Sequence, residues 1–76
     1  MTVSDTDLTL ASEVAGVVLA LTAAPGARLA EGDEILLLES MKMEIPLLAP
    51  RAGALTLLVA EGEAVSEGQP LARLRP

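Results

Sequence analysis

Apolar residues gather along the chain into runs of only four or five: Val17 to Leu21, Ile35 to Leu38, Ile45 to Leu48, Leu55 to Val59 and Leu71 to Leu74. Clusters of Gly, Pro, Asp and Glu separate the runs, which leaves no room for helices of ordinary length. The pattern predicts short strands joined by turns. Glu31-Gly32-Asp33 and Glu67-Gly68-Gln69 read as tight turns that use the positive φ glycine tolerates.

The pattern also repeats. Ala15-Gly16, Gly26 and Gly32 are answered by Ala52-Gly53, Gly62 and Gly68, with glycine spacings of ten and six, then nine and six. The segments opening at Gly26 and Gly62 share an aliphatic residue three after the first glycine and another three after the second, Leu29 and Ile35 against Val65 and Leu71. Two related halves with seven or eight strands between them predict an all-β domain, a small sandwich or flattened barrel with a quasi-twofold axis. Residues 1–7 read as a flexible tail and 8–76 as the folded domain.

One segment breaks the equivalence. Glu39-Ser40-Met41-Lys42-Met43-Glu44 joins the first half to the second and has no counterpart after the second half. Apolar runs on either side predict two antiparallel strands and a hairpin; centred on Met41-Lys42, it pairs Ser40 with Met43 and Glu39 with Glu44. As a stability element it is poorly made. A two-residue hairpin turn favours Asn-Gly or Asp-Gly because both central residues need positive φ. Like charges facing each other across a ladder cost a few tenths of a kcal/mol up to about 1. Local rules broken together point to a site.

Composition narrows the chemistry. No Cys and no His excludes disulfides, thiolate or imidazole metal sites, and catalysis by a Cys nucleophile or His base. The remaining Asp, Glu, Ser and Thr form no recognisable catalytic constellation, so the chain reads as a non-enzyme. No Phe, Tyr or Trp is present, so the core must be aliphatic and no aromatic platform exists for base stacking. A net charge of -6 repels phosphate, against nucleic acid as a partner and in favour of basic protein surfaces. The first basic residue is Arg28, and the longest uncharged run, Val14 to Ala27, is too short to cross a bilayer and contains Gly16, Pro25 and Gly26. A soluble, cytoplasmic protein without a membrane partner is expected.

Lys42 is the only lysine in the chain. A lone turn lysine is ordinarily a solvated charge, and methionines two apart on one strand face ordinarily fill core. At a hairpin tip there is little core to fill, and exposed Met is an adaptable surface for a partner. Glu39 and Glu44 favour the ammonium form of Lys42. A nucleophilic lysine needs desolvation or a neighbouring cation. Lys42 therefore reacts only if another protein takes its proton.

These residues carry a resemblance. Glu39-Ser40-Met41-Lys42-Met43-Glu44 resembles the attachment motif of biotinyl (biotin/lipoyl attachment) domains, usually Glu-Ala-Met-Lys-Met, with Lys42 on the biotinylated lysine. The likeness extends from about Ser12 to Leu74, through Gly26-x-x-Leu29-x-x-Gly32-Asp33, Ala49-Pro50, Gly53 and Val59-x-x-Gly62-x-x-Val65-x-x-Gly68. Among such proteins it is most similar to small free-standing biotin carboxyl carriers. The resemblance implies a barrel-sandwich hybrid, a flattened barrel of two four-stranded antiparallel sheets, with the lysine on a hairpin tip and Met41, Met43, Glu39, Ser40 and Glu44 as flanking recognition residues. It implies biotin as a covalent cofactor, joined to Lys42 as an amide by biotin protein ligase. The partners it implies are a biotin carboxylase, which loads carbon dioxide using ATP and bicarbonate, and a carboxyltransferase, between which the carrier swings carboxybiotin without catalysing either step. Ser40 stands where Ala is commoner, a small-for-small change. The nine residues between Gly16 and Gly26 leave no sequence for the protruding thumb of some acetyl-CoA carboxylase carriers.

Two other readings compete. A lipoyl domain has the same barrel and tip lysine but typically Asp before and a small residue after it, which Met41 and Met43 oppose. An unmodified interaction module of the same fold would leave Lys42 ordinary.

Overall fold

Alternation of buried and exposed positions sets the two faces of most strands, and it is broken by consecutive buried pairs at Ile35-Leu36 and Leu71-Ala72. The computed structural model describes residues 7–76, and among them the secondary structure is entirely strand and turn. Eight strands follow in order: β1 (Leu8–Ala11), β2 (Gly16–Leu21), β3 (Arg28–Leu29), β4 (Glu34–Ser40), β5 (Met43–Leu48), β6 (Gly53–Leu57), β7 (Ala64–Val65) and β8 (Pro70–Arg75). They form two antiparallel four-stranded sheets, β1-β8-β6-β3 and β5-β4-β2-β7. Apart from Asp7, the expected tail lies outside the described residues.

The repeat explains both orders. Exchanging β1 with β5, β2 with β6, β3 with β7 and β4 with β8 turns one sheet order into the other. Each sheet therefore takes two strands from each half. The hydrogen bonds repeat as well: Gly26 N–H donates to the Leu55 carbonyl and Gly62 N–H to the Val18 carbonyl, 2.9 and 2.7 Å, so each half closes on the other. Between the sheets lies an aliphatic core that includes Val18, Ile35, Leu36, Leu71 and Leu74, each fully buried. With no aromatic ring in the sequence, these branched chains supply the burial that folds the domain.

One strand departs from the sequence pattern. The run Leu55 to Val59 predicts a strand there, whereas β6 covers Gly53–Leu57. Leu58 N–H donates to the Leu71 carbonyl at 2.9 Å, and the chain turns so that Val59 drops into the core. Apolarity at Val59 marks burial in a turn, not pairing. The segment between Gly16 and Gly26 is taken up by β2 and one turn, as its length requires.

The glycine turns are as the sequence predicts: Gly32 has φ +91° and Gly68 φ +85°, with open space where a Cβ would stand. Side chains close these turns, the Asp33 carboxylate accepting from Ala30 N–H at 2.9 Å and the Gln69 side-chain oxygen from Ser66 N–H at 3.0 Å. Gly32→Val and Gly68→Val are each expected to cost about 1 kcal/mol or more through backbone strain alone. Thermal melting checks this, with a fall of roughly 4–8 °C per kcal/mol for a domain of this size. Equal midpoints for both variants and the parent would refute the turn assignment.

Candidate functional site

The hairpin of β4 and β5 is in the register the sequence predicts, with Ser40 opposite Met43, Glu39 opposite Glu44 and Leu38 opposite Ile45. Two residues remain for the loop, Met41 and Lys42, and both have positive φ, 52° and 66°. This is a type I′ turn, whose twist matches that of the flanking strands. Non-glycine residues in the left-handed region cost of order 1 kcal/mol or more each. The tip is thus a strained turn built from side chains that local stability does not favour.

All six residues singled out from the sequence come together here. Met41 is 92% exposed and Met43 63%, so neither belongs to the core. Lys42 stands between them in solvent. Among the described residues Lys42 has no ion-pair or hydrogen-bond partner: Glu39 and Glu44 sit one pair back along the ladder, on the outward face of the sheet, and neither bridges to it. The arrangement presents one primary amine, unpaired and exposed, on backbone held by two strands. Such an amine suits a flexible acyl arm, which needs access and no enclosing pocket.

Two anchors behind the tip are not evident from sequence. Ser40 Oγ donates to the Ala15 carbonyl at 2.7 Å, tying the last residue of β4 to the connection between β1 and β2. Beside it, Gly16 lies so close to β4 that a Cβ would run into the Glu39 carbonyl oxygen and approach Ser40 Cβ to 3.3 Å. The Ala15-Gly16 element of the repeat is the visible sign of this contact, and Gly53 repeats it against Arg75, whose carbonyl oxygen would be 2.8 Å from a Cβ. An open groove of about 400 Å³ runs behind the tip between β5 and residues 11–14. Its lining is aliphatic apart from Glu13, so it holds no acid–base pair. No helix among the described residues is long and apolar enough to cross a membrane.

A family model described as "Biotin-requiring enzyme" matches residues 7–74, and the chain belongs to this biotin/lipoyl attachment family. It is 37% identical over 68 residues to the biotin/lipoyl attachment protein of Bacillus subtilis, covering 88% of this chain and 93% of that protein. Over 71 residues it is 41% identical to the mitochondrial propionyl-CoA carboxylase alpha chain of Mus musculus, covering 92% of this chain. The match spans only about a tenth of that longer protein. In structure it is similar to the urea carboxylase of Kluyveromyces lactis, with a TM-score of 0.85 and 28% identity over 97% of this chain and 7% of the other. The chain is therefore homologous to a domain that recurs within biotin-dependent carboxylases.

Proposed function

We propose that the chain is a biotin carboxyl carrier, with biotin joined through an amide to Lys42, that moves carboxybiotin between a biotin carboxylase and a carboxyltransferase. The observation that carries this reading is the display of the sole lysine, unpaired among the described residues, at a type I′ tip between two exposed methionines. Membership in the biotin/lipoyl attachment family supports it, as does likeness to carboxylases on both sequence and structure.

The chemistry asked of this chain is small. In attachment, the Lys42 Nζ lone pair forms the C–N bond to the activated carboxyl carbon, whose leaving group departs with its electron pair. Nζ sheds one proton to free that lone pair and a second once the C–N bond has formed, and both pass to the ligase, since among the described residues no group is hydrogen-bonded to Nζ. Once attached, the cofactor supplies a nitrogen that takes up and gives up carboxylate. The residues of this chain hold the tip: strand pairing fixes its register, and the Ser40–Ala15 hydrogen bond secures its base. Met41 and Met43 offer flexible thioethers to active sites of different shape.

Co-expression with biotin protein ligase, and separately with a lipoate ligase, followed by intact mass measurement, tests the reading. One biotin per chain is expected with the first and no increment with the second. A lipoyl increment, or an unmodified chain in both, would overturn it.

A further inference from the structure

The two sheets are built alike inside and differently outside. On the sheet that bears Lys42, the outward positions include Val17 and Leu19, each 40% exposed, Leu37, Pro46 and Leu48, which is 49% exposed. Register makes them neighbours: Leu37 pairs with Pro46 on one side and Ala20 on the other, beside Leu19 at a bulge. On the other sheet, the equivalent positions of the repeat are Ala54 for Val17, Thr56 for Leu19 and Arg73 for Leu37, with Thr9 paired to Arg73. Among the described residues, five of the six large hydrophobics exposed to solvent lie on the lysine-bearing sheet or its tip, Met41 and Met43 completing the set. Folding does not require this patch, because the other sheet has the same strand order with smaller or polar residues, Ala54, Thr56, Arg73 and Thr9, at its outward positions.

We infer that this outward face is the surface on which a biotin carboxylase rests while Lys42 is inside its active site, an inference that rests on the proposed carrier function. Continuity is the first argument, since the patch runs along β4 and β5, the two strands that end in the tip. Charge is the second. Glu34, Glu39 and Glu44, all exposed, stand on the same strands around the apolar positions, and the chain carries a net charge of -6. An enzyme that binds ATP and bicarbonate presents cationic groups to hold those anions, which complements an acidic rim around an apolar centre. A second copy of this chain does not. A twofold pairing through the patch would bring the same three carboxylates of each copy to one interface.

The test borrows residues from the opposite sheet. The double variant Val17→Ala/Leu19→Thr installs the residue types of Ala54 and Thr56, which the fold already accommodates. Leu48→Thr, at the exposed edge of the patch, is the second variant. Each is biotinylated and assayed as a substrate of the purified biotin carboxylase from the same organism, with free biotin as the reference substrate and melting as the control for folding. We expect the KM for the carrier to rise about tenfold with kcat little changed, as for loss of uniform binding. Carboxylation of free biotin is expected to be unaffected. KM values of the folded variants within about twofold of the parent would overturn the docking face. So would a dimer of the parent in sedimentation that either variant abolishes, because the patch would then belong to a second copy. A parent chain that no biotin ligase labels removes the carrier reading itself, a result distinct from a labelled carrier with unchanged KM.

Discussion

Lys42→Arg is expected to abolish biotin labelling completely while leaving the fold unchanged. A guanidinium stays protonated at any pH the protein survives and offers no free amine lone pair, so amide formation has no nucleophile. No other lysine can substitute, because Lys42 is the only one. The fold should be indifferent: the side chain is exposed, pairs with nothing among the described residues, and is replaced by another unbranched cation, a change within about 0.5 kcal/mol. A streptavidin blot with intact mass after co-expression with the ligase makes the measurement. Label found on the arginine variant at any residue from 8 to 76 would end the assignment of Lys42; label on the α-amine would not.

The second large effect is predicted at Gly16. Its absent side chain is what lets β2 lie against the end of β4, where a Cβ would meet the Glu39 backbone. That backbone cannot easily yield, because Glu39 is paired with Val17 on one side and Glu44 on the other. Gly16→Ala is therefore expected to cost about 2–3 kcal/mol, the upper part of the range for core overpacking, because the atom in the way is backbone. At roughly 4–8 °C per kcal/mol, its melting midpoint should fall further than those of Gly32→Val and Gly68→Val. Labelling should slow too, since the clash falls at the base of the tip. A midpoint within a degree or two of the parent would show that β2 and β4 are not in this contact.

How legible this was in the sequence depended on whether a residue's role was local. The hairpin register could be read because one turn and the apolar runs beside it fix every pair from Glu39 to Glu44. The turns at Gly32 and Gly68 were legible for the same reason. Gly16 and Gly53 stood out only as parts of a repeat, since what confines them is backbone 23 and 22 residues away. The Ser40 hydroxyl, expected to be a neutral replacement for a methyl, turns out to bond a carbonyl 25 residues distant. The two-residue strands β3 and β7 are too short to carry any periodicity. The end of β6 is not legible, because apolarity does not distinguish a buried turn residue such as Val59 from a paired one.

The left-handed backbone at Met41 and Lys42 has a consequence for proteolysis. A trypsin-like protease reads a basic side chain but cuts only a backbone laid out as an extended strand in its cleft, where main-chain groups pair with the enzyme. The bond after Lys42 sits in a turn with φ of 66° and cannot lie flat in such a cleft until β4 and β5 part. A cation exposed to solvent is in this way shielded from the enzymes that search for it. The same bend separates two reactivities one residue holds, offering the amine to acylation while withholding the neighbouring carbonyl from hydrolysis.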